Sequence, residues 1–188
     1  YQKSFGNHTY EDGAAKVQNT DLYDIASLTK IIGTLPNIMQ EFDKKNLTLE
    51  TKLRTMLPVF KGSNKQEATL LDMLTHQAKL PAWTPFYLKT LDSLKKPSQK
   101  YYQTTPSENF SLKVSTNLYL RKDYTDTIMN IIKEAPLLPT KQYKYSDYAF
   151  ILFKEYLEKF HHKSLDKLSD DNFYKLLGAN STTYNPLD

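Results

Sequence analysis

Apolar residues recur along this chain mostly at helical spacing. Leu28, Ile31, Ile32, Leu35, Ile38, Met39 and Phe42 fall at intervals of three and four, which predicts an amphipathic helix over 28–45. Gly33 and Pro36 lie inside it. Pro36 has no N–H to offer the carbonyl of residue 32, so a kink is predicted there. Leu47, Leu49, Leu53, Met56 and Leu57 predict a short second element, and 69–76 a short helix that ends near Leu80-Pro81. A further helix is predicted over 126–134, stopped by Pro136 and Pro139. Tyr148, Ile151, Leu152, Tyr156 and Leu157 make the stripe of a helix over 146–161, and 165–177 predicts a last helix closed by Gly178.

Two stretches lack that period. Residues 1–10 alternate loosely and predict a strand, with Asp12-Gly13 as a turn, 14–20 as connector and 22–26 as the lead into the first helix. Residues 82–122 hold Trp83, Phe86, Tyr87, Tyr101, Tyr102, Phe110 and Tyr119, interrupted by Pro85, Pro97 and Pro106. They predict a long aromatic loop with a short helix near 86–94, and a loop of this length serves as a cleft wall or lid when it is ordered. No internal repeat or low-complexity tract is present.

Composition narrows the class. With 188 residues the chain is one domain or a little more. The net charge of +4 comes from 25 basic and 21 acidic residues that are interspersed, so no basic stripe for nucleic acid exists. Fourteen tyrosines point to half-wet surfaces and a cleft. Zero cysteines excludes disulfides and cysteine-zinc sites. No apolar run reaches the length of a membrane span. No His-Glu-x-x-His type spacing suggests a metal, and no signal peptide is visible at the N-terminus.

The chemistry concentrates where the lead-in meets the first helix, at Ser27-Leu28-Thr29-Lys30. Residues i and i+3 share a helix face, so the serine hydroxyl and lysine amine are within reach of one another. Burial lowers a lysine's pKa, which would suit it to accept the serine proton. Ser-x-x-Lys also occurs at Ser93/Lys96 and Ser164/Lys167, but only Ser27 stands between an apolar approach and a long apolar-periodic segment. On spacing alone Ser27 is equally a plain N-cap. Tyr145-Ser146-Asp147 opens another helix and could aim a phenol at a nucleophile while Asp147 tethers a lysine. Tyr10/Asp12 and Tyr124/Asp126 repeat the pattern, and the ordinary reading is a packed tyrosine beside an aspartate favoured by the helix dipole. His76 reads as a buried structural histidine, and His161-His162 as solvated residues at a helix end.

Taken together and in order, Asp24-Ile25-Ala26-Ser27-Leu28-Thr29-Lys30, Leu71-Asp72-Met73-Leu74-Thr75-His76, Leu80-Pro81 and Tyr145-Ser146-Asp147 resemble serine hydrolases of the class C β-lactamase and penicillin-binding-protein type. The resemblance extends to β-lactamase-related domains of Bacteroidetes-type bacteria, often fused behind a family 3 glycoside hydrolase, in which Trp83-Thr84-Pro85-Phe86-Tyr87 also has a counterpart. It implies an α+β, β-lactamase/transpeptidase-like fold: a sheet-lobe strand and lead-in over 1–26, a mainly helical lobe over 27–178 containing the loop 82–122, and the start of a return to the sheet over 179–188. It implies Ser27 as nucleophile, Lys30 as base or relay, Tyr145 as general base and acid, and Asp147, where the family more often has asparagine, positioning the lysine and raising its pKa. Trp83 and Tyr87 would contact substrate. No cofactor is implied.

The implied function is acyl transfer to water through an acyl-enzyme, on a cell-wall peptide or small acyl ester, in a periplasmic or extracytoplasmic setting. A DD-peptidase, a true β-lactamase, or a non-catalytic module that binds muropeptide or a partner domain are the alternatives. The family's third motif, Lys- or His-x-Gly, is absent: the glycines stand at 6, 13, 33, 62 and 178, and none has lysine or histidine two before it. By the resemblance the 188 residues are therefore expected to be a fragment that hydrolyses weakly and tends to self-associate, with a fused glycoside hydrolase domain as one implied partner.

Overall fold

A computed structural model describes residues 1–184. Its centre is α5 (Asp147–His161), whose inner face of Tyr148, Leu152, Phe153 and Leu157 is almost completely buried. Against it pack α1 (Leu35–Asp43), α2 (Leu53–Met56), α3 (Leu70–Leu74), α4 (Tyr124–Glu134) and α6 (Leu165–Ser169), which contribute Ile38, Leu53, Leu70, Met73, Ile132 and Leu168 to one continuous core. Side chains of this size each stabilise by about 1.5–3 kcal/mol when removed from water. Local signals set the helix starts. Thr69 caps α3 by accepting the Asp72 N–H, and the Asp72 carboxylate returns the bond to Thr69 N–H. The Ser146 hydroxyl accepts the Tyr148 N–H at the start of α5.

The first predicted helix is three segments. A 3-10 turn (Ala26–Leu28) leads to a π-helical turn (Lys30–Thr34), and regular α1 starts only at Leu35. Pro36 explains the break, because it cannot donate to the Ile32 carbonyl. The carbonyls freed in the π turn are taken by side chains instead. Tyr174 Oη donates to Ile32 O at 3.1 Å, and Asn37 Nδ2 to Gly33 O at 2.8 Å, with Ser169 Oγ at 3.3 Å from the same oxygen. Asn37 and Ser169 are themselves bonded at 3.1 Å, and Asn172 Nδ2 donates to Asn37 Oδ1 at 2.9 Å. This polar packing inverts the expected burial. Thr34, Asn37 and Glu41 are buried with Ile38, while Ile31, Met39 and Phe42 from the predicted stripe are 52%, 61% and 47% exposed.

Several other expectations are corrected. Residues 1–10 do not form a strand: Asn7 pairs with Lys16 in a single bridge, His8 N–H donates to Ala15 O and Val17 N–H to Gly6 O. The Asp12-Gly13 turn is real, with Gly13 at φ +80°, but the two arms find no third strand to extend the ladder. The segment 82–122 is not a plain loop. It carries a 3-10 turn (Phe86–Thr90) and a three-stranded antiparallel sheet of β1 (Tyr102–Gln103), β2 (Leu112–Ser115) and β3 (Leu118–Leu120) in the order β1-β3-β2. These strands are too short for a period-two pattern to register. The last predicted helix breaks after α6 into a π turn (Asp170–Tyr174). Of the expected return segment 179–188, residues 185–188 lie outside the described residues. His161 is not merely solvated, for its Nε2 lies 3.0 Å from Oε1 of the fully buried Glu41. That pair ties the end of α5 to the end of α1.

Candidate active site

Ser27 sits on the 3-10 turn, exposed, at the mouth between the α1 segment and the start of α5. The turn is held by Asp24, whose Oδ1 accepts the Ala26 N–H at 2.7 Å, and Ala26 adopts φ +43°. A non-glycine residue in that region is strained by of order 1–2 kcal/mol. The strain turns the chain sharply just before Ser27. Ser27 opens a helical segment, where backbone N–H groups have no intrahelical acceptor.

Lys30 Nζ donates to Ser27 Oγ at 3.0 Å and makes an ion pair with Asp147 Oδ1 at 2.6 Å. It also lies 5.0 Å from the centre of the Tyr145 ring. The Ser27/Lys30 pair and the Tyr145/Asp147 pair, far apart in sequence, therefore meet at one point. Burial by itself lowers the Lys30 pKa, but bonding to Asp147 and Tyr145 outweighs it and holds the amine above its ordinary 10.5. The lowering expected from burial alone is thus reversed by Asp147. Hydrogen bonding to Lys30 and then to Ser27 pulls the Tyr145 phenol below its ordinary 10.0, against a smaller opposing effect of burial.

The competing copies of each motif do not assemble. No hydrogen bond among the described residues joins Ser93 to Lys96 or Ser164 to Lys167. The Tyr124 phenol is turned to the Phe86 carbonyl at 2.6 Å. Trp83 and Tyr87 are 59% and 56% exposed, and no hydrogen bond, ion pair or ring contact among the described residues joins either to Ser27, Lys30 or Tyr145. They follow a segment pinned to the start of α5, where Ala82 O accepts the Asp147 N–H at 2.8 Å and Pro81 O accepts the Ser146 hydroxyl at 2.6 Å. No group of three or more metal-ligating side chains exists among the described residues.

Two residues that support the site escaped the sequence reading. Asp24 shapes the Ser27 turn, and its signal was an aspartate two positions before the N–H that donates to it, an Asx turn. His76 carries the second, through a ring nitrogen that contacts Ser146. The sequence marked His76 as a structural histidine but not its partner, which lies across the fold.

The arrangement can be compared with known proteins. A sequence model of the Beta-lactamase family matches residues 2–188. The N-acetylmuramyl-L-alanine amidase of Bacillus subtilis (strain 168) is 26% identical over 193 residues, covering 100% of this chain and 38% of its own length. A D-stereospecific amidohydrolase from Streptomyces superposes with a TM-score of 0.63 at 16% identity, over 89% of this chain and 45% of its own. The β-lactamase/D-alanine carboxypeptidase from Yersinia pestis gives a TM-score of 0.55 at 23% identity, over 87% of this chain and 40% of its own. The chain thus spans about two fifths of the length of the relatives it matches.

Proposed function

This chain belongs to the Beta-lactamase family, a family of serine hydrolases with the β-lactamase/transpeptidase-like fold, and on that premise we propose that Ser27 is the nucleophile of an acyl-transfer hydrolase. One observation carries the reading: Lys30 Nζ bridges Ser27 Oγ and Asp147 Oδ1, at 3.0 and 2.6 Å, beside the Tyr145 phenol.

The directions in which Lys30 and Tyr145 are shifted support a division of roles. A lysine kept charged has three donors and no lone pair, so it cannot take the serine proton. It donates to Ser27 Oγ and leaves the hydroxyl proton free to go elsewhere. Tyr145, its phenol pKa pulled down by Lys30 and Ser27, is proposed to accept it as the phenolate. Ser27 Oγ attacks the substrate carbonyl, its proton passes to the Tyr145 oxygen, and the carbonyl electrons move onto oxygen. Collapse of that intermediate expels the leaving group, which takes the proton back from Tyr145, and an acyl-Ser27 ester remains. Water then repeats the sequence, with Tyr145 as base, and frees the acid. The Ser27 backbone N–H is the assigned oxyanion donor. A donor of this kind is worth on the order of 10²–10³ in rate.

The substrate class proposed is an amide or ester of a cell-wall peptide type. The names of the amidase relative and of the carboxypeptidase neighbour support it, and an extracytoplasmic location is proposed with it. Trp83 and Tyr87 are proposed to meet the substrate from the loop pinned beside α5. The exposed Ile31, Met39 and Phe42 support self-association of these residues.

The test is a substrate panel on the protein that contains these residues: a chromogenic ester, a D-Ala-D-Ala peptide, a muramyl peptide and nitrocefin, each against Ser27→Ala. Turnover of at least one that disappears in the variant supports the reading. Turnover that survives Ser27→Ala, or none on any substrate, overturns it.

A further inference from the structure

The chain around Tyr145 is stitched to the turn after α3, and His76 supplies two of the stitches. Its carbonyl accepts the Lys144 N–H at 2.8 Å, and its Nδ1 accepts the Ser146 N–H at 3.1 Å. The two bonds fall on either side of Tyr145. The His76 ring lies 4.7 Å from the Tyr145 ring at a tilt of 42°, with Tyr143 edge-on at 5.9 Å and Phe150 at 5.8 Å. His76 itself is held at φ +56° and half-buried. We propose that His76 is the positioning residue for Tyr145, and that it does this only as the neutral ring with Nδ1 bare.

The chemistry of the ring makes the device titratable. An imidazole that accepts at Nδ1 carries its proton on Nε2. A second proton can only go to Nδ1, which then faces the Ser146 N–H donor to donor. That bond is lost, and with it one of the two clamps that set the phenol against Lys30 and Ser27. A displacement near 1 Å at a reacting group costs about 10²-fold in rate. The groups facing His76 are the Lys30 ammonium and Asp147 carboxylate from the site and the phenols of Tyr143 and Tyr145, while Asp72, on the preceding α3, is paired with Lys141. Burial, then Lys30, push the His76 pKa below its ordinary 6.5, and Asp147 opposes them with less effect. The clamp is therefore closed at neutral pH and opens in acid.

The inference rests on the Tyr145 reading, so the experiment has one readout that does not need turnover. Asn is the informative replacement. Its Oδ1 stands where Nδ1 does, it does not titrate, and it tolerates positive φ. Above the His76 pKa, His76→Asn should keep kcat within about threefold on an activated ester such as p-nitrophenyl acetate. Below it, the ratio of variant to wild-type kcat should rise by up to about tenfold per pH unit. His76→Leu should lower kcat by about 10–100-fold with little change in KM. In the ¹⁵N-labelled wild-type protein, the Ser146 amide resonance should move with the His76 ring titration. A ratio that stays flat with pH, or wild-type kcat in His76→Leu, overturns the proposal. Should neither protein turn over ester, the hydrolase reading fails, and the Ser146 amide alone decides. If it holds still while His76 titrates, the clamp does not exist. Thermal melts of both variants separate a lost clamp from a lost fold.

Discussion

Lys30 Nζ stands 2.6 Å from Asp147 Oδ1, which joins the segment that follows Ser27 to the first residue of α5. Each side chain keeps the other from standing as an unpaired charge in a partly dry site. In the proposed mechanism the pairing keeps the lysine an ammonium while Ser27 reacts.

Asp147→Asn tests that electrostatic division directly. Burial, the largest influence on Lys30, lowers its pKa, and the Asp147 carboxylate is the first of the influences that overcome it. Without the carboxylate, Lys30 should lose its proton at a lower pH. In the wild type, activity that depends on the ammonium should persist past the ordinary lysine pKa of 10.5 and fall as pH rises through the raised one. In Asp147→Asn the alkaline fall should begin at lower pH, with neutral-pH kcat/KM reduced by no more than about tenfold. A pH–rate profile of the two proteins measures it.

Tyr145→Phe should lower kcat by about 10²–10⁴-fold, because the proton acceptor is removed. Tyr145 is 41% exposed, so stability should change by no more than about 0.5 kcal/mol. Steady-state kinetics beside a urea melt separate the two effects.

Asn37→Ala should destabilise the fold by about 2–3 kcal/mol, although Asn37 itself makes no hydrogen bond with Ser27 or Tyr145. Asn37 is 2% exposed and bonds Gly33 O, Ser169 Oγ and Asn172 Nδ2. Its removal strands polar groups around the π turn. Urea unfolding gives the change, read as a lower midpoint at constant slope.

Alkali should unfold the protein through two buried phenols. Burial is the leading cause that pushes Tyr156 and Tyr174 up to about 12 from 10.0. A group whose folded pKa lies above the unfolded one contributes stability that is whole below the unfolded value. That stability disappears as pH climbs from 10 to about 12. Each phenol contributes on the order of 2 kcal/mol to that loss. Tyr156→Phe should flatten the decline, as followed by far-ultraviolet circular dichroism against pH.

The sequence showed the parts that repeat over a helical period or that belong to an ordered set of motifs. The stripe of α5 reads directly from Tyr148, Leu152 and Leu157, and the site from two motifs whose combination was informative where each alone was common. What stayed hidden depends on contacts across the fold. Ile31, Met39 and Phe42 look like a core stripe, yet the buried face of α1 is Thr34, Asn37 and Glu41, satisfied by Ser169, Asn172 and His161 from distant segments. No local pattern announces that a polar face has partners. The short strands β1–β3 leave too few residues for a period, and the strand expected over 1–10 finds no ladder to join. His76 was expected to be buried and is only half-buried, and the bond from Ser146 that gives it a task was not legible.

The most direct measurement is the site of covalent attachment. The protein containing these residues is treated with a fluorophosphonate probe, digested, and the adduct mapped by mass spectrometry. The account predicts a single adduct on Ser27, slowed by Tyr145→Phe and abolished by Ser27→Ala. An adduct on Ser93, Ser146 or Ser164, or none on Ser27 in a folded protein, would contradict it.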